Sequence, residues 1–182
     1  MVMIIELSAE ETKRRFGVAI PIRNFPYQLN HREENNVKLV MEYIGIAYSP
    51  EENKGANSVK HLCDRGNTFE AVSTFPKAHT AEEYAEEHAK VMASLTDLHI
   101  MRFDIVSAKE DFVTIRYTAT GTHRGAPHNG IEATGKRAEW TAAGNFIIDE
   151  HTGKIKHWWK DWDKMRMWKQ LGWVKPPDAE FL

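Results

Sequence analysis

Residues 111–123 read DFVTIRYTATGTH. Val113, Ile115, Tyr117 and Ala119 alternate with Thr114, Arg116, Thr118 and Thr120, the period of two that gives a strand one apolar and one polar face. His123 keeps the apolar parity at the strand's end, just before a Gly/Pro/Asn-rich loop from Gly125 to Gly130. The same period extends outward on both sides. His99, Met101, Phe103 and Ile105 share one face of a preceding strand. Thr134 to Asp149 reads as a third strand, with Ala138, Trp140, Ala142, Phe146 and Ile148 on one face. His151-Thr152-Gly153 reads as a hairpin turn, and Ile155 to Trp162 as a fourth strand. Strict alternation there sets Ile155, His157, Trp159 and Asp161 against Lys156, Trp158, Lys160 and Trp162.

Upstream of Asp97 the period is helical. Val37, Val40, Tyr43, Ile44 and Ala47 mark a helix from Glu33 to Ser49, ended by Pro50. A short helix is expected around Val59 to Cys63. Thr80 and Glu83 form a capping box, followed by Tyr84, His88, Val91, Met92 and Leu95 on one helical face. A last helix runs from Asp163 to Leu171, with Gly172 placed as its C′ residue. Helices followed by an antiparallel meander define an α+β fold. The expected form is a cone: a strongly curved antiparallel sheet closed by the N-terminal helices over an internal apolar pocket. Residues 1–34 read as an extension, with a short helix opened by Ser8 and Glu11 and an arm through Pro21 and Pro26. The domain is expected over 35–173 and a tail over 174–182.

Composition excludes several classes. At 182 residues the chain is one domain, and 42% apolar content is enough for a core. A net charge of −2 argues against a dedicated nucleic-acid binder. The single cysteine, Cys63, excludes an internal disulfide framework and a multi-thiolate metal site. No apolar run approaches the roughly 20 residues of a membrane span, and the N-terminus carries no secretory pattern, so a cytoplasmic protein without membrane partners is expected. There is no phosphate-binding Gly loop, nucleophile elbow or His-x-x-x-His helix. No metal or other cofactor is expected.

Chemistry concentrates near the C-terminal strand. Asp161 and Asp163 stand at its junction with the last helix. Asp163 reads as that helix's N-cap and Asp161 as a surface carboxylate. Held among tryptophans instead, either would be desolvated towards a general base. His123 reads as a satisfied core histidine or as a donor to a substrate carbonyl. His157 shares a face with Trp159 and Asp161. Trp140, Trp159, Phe103, Met101, Tyr117 and His99 are expected to line a pocket for a flat apolar or aromatic carbonyl compound. Trp158, Trp162, Trp168 and Trp173 read as core or subunit interface.

Tyr117 to Gly125, Gly130 to Arg137, Asp149 to Ile155, Trp159 with Asp163, and Gln170-Leu171-Gly172 together resemble the SnoaL-like polyketide cyclase family, as does Asp97-Leu98-His99. The resemblance covers roughly residues 35–173. It implies the α+β cone of the nuclear-transport-factor-2-like superfamily and a homodimer. It also implies cofactor-independent ring closure by intramolecular aldol condensation, with Asp163 as the acid/base and His123 as its partner; Asp161 is the rival by strand parity. The superfamily also hosts dehydratases, isomerases and binding modules, so those readings stand beside the cyclase one.

Overall fold

The computed structural model describes residues 29–71 and 74–174. The expected helix at Ser8 and the arm through Pro26 lie outside these residues, as does the tail from residue 175. The first helix, α1 (His31–Ala47), starts earlier than its apolar period predicts, inside the segment assigned to the extension. Asn30 caps it: its side chain accepts from the Glu33 amide at 3.0 Å, and Glu33 accepts from the Asn30 amide at 2.9 Å.

Two short 3-10 turns (Ala56–Ser58 and Lys60–Leu62) lead into β1 (Cys63–Glu70). Then follow α2 (Ala81–Ser94), β2 (His99–Lys109), β3 (Phe112–Thr122), β4 (Arg137–Ile148), β5 (Ile155–Trp162) and α3 (Lys164–Leu171). The sheet order is β1-β5-β4-β3-β2. The α+β class stands, but the sheet is mixed rather than antiparallel: β1 pairs parallel with β5 through Thr68 opposite His157 and Glu70 opposite Trp159. The helix expected around Val59 to Cys63 is only one 3-10 turn, after which the chain extends. The sheet is open, with β1 and β2 at its edges.

The inner face carries the core. Val37, Val40, Tyr43, Ile44 and Ala47 of α1 and Tyr84, Ala85 and Met92 of α2 are buried with Val113, Ile115, Tyr117 and Ala119 of β3 and Trp140 and Phe146 of β4. Trp158 is the centre of this layer. It stacks on Phe146 at 4.8 Å and takes the edges of Tyr43 at 5.6 Å and Tyr84 at 4.8 Å.

Strand phase explains two further departures. Pairing of β2 with β3 is irregular between Ile100 and Arg102 and again between Phe103 and Ile105. The buried set is therefore Ile100, Phe103, Val106 and Ala108, while Ile105 is 41% exposed. Met101 and His99 are only half-buried and do not share the face of Phe103. In β5 the register shifts opposite Ile147 and Ile148. Ile155 and Trp158 both end up inside, and the alternation downstream is inverted. Trp158, Lys160 and Trp162 take the inner side; His157, Trp159 and Asp161 take the outer. Trp158 is thereby a core residue, and Trp162 lies on the inner side of the strand rather than on an outer face.

Two local clamps hold the frame. Glu33 accepts the Glu110 amide at 3.0 Å and Asn36 donates to the Glu110 carbonyl at 2.9 Å, which fixes the β2–β3 turn with Glu110 at φ 56°. The backbone amides of Asn30 and then Glu110, both donating to it, hold the Glu33 carboxyl below its usual range. At the far end, Gly172 ends α3 at φ 76°, as the sequence predicts.

Candidate active site

Inversion of the β5 phase buries Lys160, which is 3% exposed. Its Nζ donates to the hydroxyls of Tyr84 at 2.7 Å and Tyr48 at 3.0 Å. Tyr48 and Tyr117 are joined hydroxyl to hydroxyl at 2.6 Å. The rings of Tyr84, Phe75, Trp162 and Tyr48 surround the amine, with centroids 4.7, 5.2, 5.2 and 5.4 Å from Nζ. No carboxylate pairs with it among the described residues. Burial pushes the Lys160 ammonium well below the usual lysine range and the three tyrosines well above theirs. His88 packs against Tyr48 and Tyr84, with ring centroids 4.2 and 5.3 Å away, and donates from Nδ1 to the Ala47 carbonyl at 2.8 Å. Burial, then the charge of Lys160, pushes its pKa down to about 3.

In front of this cluster lies a partly open cleft of about 450 Å³ between the Thr74–Lys77 turn, α2, the 127–129 loop and α3. Phe75, Trp162, Trp168, Trp173 and His128 supply its aromatic lining. Phe75 and Trp162, whose rings lie 6.1 Å apart at 23°, belong both to the cleft wall and to the cage around Lys160. The Trp162 indole N–H is buried and has no hydrogen-bond partner among the described residues. His128 stacks on Trp173 at 3.7 Å and 8°. A two-residue turn presents it: His128 and Ile131 exchange backbone hydrogen bonds across Asn129 (φ 49°) and Gly130 (φ 80°). Burial, with the neighbouring His123 and Lys164, lowers the His128 pKa and favours the neutral imidazole.

His123 sits behind the 124–136 loop and is fully buried. Its Nδ1 accepts from Trp173 Nε1 at 3.0 Å and from the Thr134 amide at 3.3 Å, which leaves the proton on Nε2, facing the Ala126 carbonyl at 3.2 Å. The neighbouring Gly125 amide donates to the Ser94 carbonyl at 3.1 Å. A Cβ on Gly125 would stand 2.0 Å from the Ala93 carbonyl oxygen, so only glycine permits this approach. Asp97 completes the latch by accepting from the amide and hydroxyl of Thr122. His123 thus fastens the loop that carries His128 to Trp173, just past α3.

Both candidate carboxylates are exposed. Asp163 caps α3, its side chain accepting from the Arg166 amide at 3.0 Å. Asp161 lies opposite Ala143 on the outer side of the sheet. His157 bonds Thr68 on that outer side, and Trp159 packs beside it with ring centroids 4.0 Å apart. Trp140, Phe103 and Tyr117 are inner-face residues, each at most 2% exposed, and Tyr117 is the only one of the three in the hydroxyl chain to Lys160. Sequence parity therefore brought Tyr117 to the cluster and missed Lys160, Tyr48, Tyr84 and His128. The available signal was a lysine of the same parity as two tryptophans: a strand row that reads Trp158, Lys160, Trp162 has an apolar face with one amine in it. Among the described residues no group of His, Cys, Asp or Glu is placed to hold a metal ion, and no helix is long and apolar enough to cross a membrane.

This open sheet with three packed helices is the nuclear-transport-factor-2-like fold. The family model for SnoaL-like polyketide cyclases matches residues 52–171, and the chain belongs to that family. Solved structures agree on the fold. A protein provisionally assigned as a SnoaL-like polyketide cyclase from Jannaschia sp. CCS1 superposes with a TM-score of 0.65 at 14% identity, over 82% of this chain and 99% of that one. AclR from Streptomyces galilaeus, provisionally assigned as a hydroxylase, gives 0.62 at 17%, over 79% and 99%. IdmH from Streptomyces antibioticus, provisionally assigned as a polyketide cyclase, gives 0.57 at 21%, over 72% and 96%. No curated protein sequence matches the chain.

Proposed function

We propose that the protein is an acid/base enzyme for aromatic or polycyclic carbonyl compounds, removing a proton α to the carbonyl and closing a ring by intramolecular aldol addition without a cofactor. The observation that carries this reading is the imidazole of His128 held in an aromatic cleft. A flat ligand packs against Phe75, Trp168 and the rim of the His128–Trp173 stack, and the neutral imidazole takes the α-proton as its Nε2 exchanges the Asn129 side-chain amide, 3.2 Å away, for the ligand. The aldol step is intramolecular, so holding the two carbons together supplies much of the rate. A positioned base adds about 10²–10⁴-fold. The test is α-proton exchange in D₂O, followed by NMR, on aryl β-diketones and polyketide ester mimics. His128→Asn is expected to slow exchange by about 10²-fold while tryptophan quenching still reports binding. Equal exchange in the variant rejects His128 as the base.

The resemblance also points to Asp163, and Asp163→Asn separates its two possible roles, because asparagine caps a helix as well as aspartate does. A turnover loss of about 10²-fold with unchanged melting would give the base role to Asp163. A second reading, a non-catalytic binder, is favoured by the outward placement of both Asp161 and Asp163; ligand quenching without any α-proton exchange would establish it. Assembly as a homodimer is part of the proposal and is checked by light scattering on the eluting protein.

A further inference from the structure

An amine without a counter-ion is an expensive way to fill a core. The aliphatic stem of Lys160 could pack against Trp158 and Trp162 as a methionine would, with no desolvation of a charged group. Instead the chain buries the amine, bonds it only to tyrosine hydroxyls, and screens it from the cleft with two rings. An ammonium has three donors, and Lys160 uses two, to Tyr84 and Tyr48. The third position has no hydrogen-bond partner among the described residues. Phe75 and Trp162, which flank the amine at 5.2 Å each, are also cleft wall. Lys160 itself does not line the cleft; the rings of Phe75 and Trp162 are the wall that the amine and the cleft share.

We propose that Lys160 is an iminium-forming lysine, whose Nζ adds to the carbonyl carbon of a ligand entering past Phe75, with Tyr84 as the proton carrier. The proposal rests on the reading that the cleft takes carbonyl compounds. The unprotonated amine attacks the carbonyl carbon. A C–N bond forms, and the C=O π pair moves to oxygen. The oxygen takes a proton from Tyr84, whose hydroxyl lies 2.7 Å from Nζ and is re-protonated by the new ammonium. The carbinolamine then loses its hydroxyl as water with a second proton, and the nitrogen lone pair closes the C=N bond. In sum, the ketone, the free amine and one proton drawn from solvent, the second proton above, give iminium plus water, and no oxidant or reductant is consumed. The iminium withdraws electrons from the α-carbon, which eases the proton removal assigned to the cleft. Burial of the ammonium supports the step because it favours the free amine.

The experiment is reductive trapping. The full chain is incubated at neutral pH with acetone and cyanoborohydride, and isopropyl-lysine is located by intact mass and peptide mapping. An ordinary exposed lysine is free amine only in roughly one part in two thousand at pH 7. The Lys160 peptide is expected to label at least about tenfold faster than the exposed lysines. The fast label should vanish in Lys160→Met while slow labelling elsewhere is unchanged. Phe75→Ala, which thins the wall, should speed the Lys160 label. A Lys160 peptide that stays unlabelled in both the wild type and Phe75→Ala, while exposed lysines label, overturns the proposal. α-Proton exchange on the same samples distinguishes the two failures. Exchange without the label rejects the lysine and keeps the cleft; absence of exchange bears on the cleft reading itself.

Discussion

His123 and Lys160 are both basic side chains taken fully out of water, and their surroundings differ in kind. His123 has every polar atom answered: two N–H donors meet Nδ1, and Nε2 faces a carbonyl. Lys160 meets only neutral hydroxyls and aromatic faces, with no carboxylate. A buried base whose bonds are complete holds structure together; one that lacks a counter-charge is free to change its proton or its bonding. The residue the family motif highlights is of the first kind, and the unhighlighted one is of the second.

The largest break of this contrast is expected at the latch. His123→Ala strands the Trp173 indole and the Thr134 amide, and stability should fall by about 3 kcal/mol in urea unfolding. The opposite sign is expected at Lys160. Lys160→Met removes a buried amine that the fold holds below its ordinary pKa and keeps the volume, so the protein should gain about 1–3 kcal/mol at neutral pH.

The pH profile sharpens the same point. An unfolded lysine keeps its proton up to a pKa of about 10.4, whereas folded Lys160 releases it at lower pH. Across that window the unfolded state binds more protons, so stability falls as pH falls from about 10.4, by at most about 1.4 kcal/mol per unit. Lys160→Met should flatten this slope. His88 adds a second decline below the unfolded histidine pKa of about 6.5, ending near its folded value of about 3. That decline should persist in the variant. The smaller effects lie outside the core. Asp163→Ala should cost about 1 kcal/mol through the lost cap, and Asp161→Ala about 0.5 kcal/mol or less. A larger loss at Asp161 than at Asp163 would contradict the outer-face placement.

The central strands were legible because nothing interrupts their alternation. β3 pairs with β4 in unbroken register from Phe112 opposite Ile147 to Thr122 opposite Arg137, and the inner sets of both strands are those the sequence marks. β2 and β5 lost their phase at irregularities set by neighbouring strands, which a single sequence does not print. That one shift in β5 moved Trp159 and Asp161 out of the expected pocket and Lys160 into the core. β1 was illegible for another reason. Its sequence CDRGNTFE has Gly66 at φ 82° and only Cys63 and Phe69 as buried apolar residues, so it shows no alternation. The caps, by contrast, follow local rules: Gly172 ends α3 and Thr80 caps α2 by accepting from the Glu83 amide, although the Glu83 carboxylate takes the His79 amide at 2.7 Å instead of closing the expected box. His128 escaped notice because its presentation depends on the Asn129-Gly130 turn, inside a stretch that composition marks only as loop.

The parallel strand β1 has a kinetic consequence. Thr68 meets His157 across 89 positions, so β1 finds its place only after the last strand is made. Closing so long a loop is a late, entropically uphill event, and the β2–β3–β4 meander is expected to be in place before it. On a ribosome the order is stricter still, because β5 is synthesised after every other strand. Phe75 follows β1 directly and is carried to the cleft by its docking. Binding competence is therefore expected to appear in one late step of refolding, with tryptophan quenching by a ligand lagging behind protection of the β3 amides from hydrogen exchange.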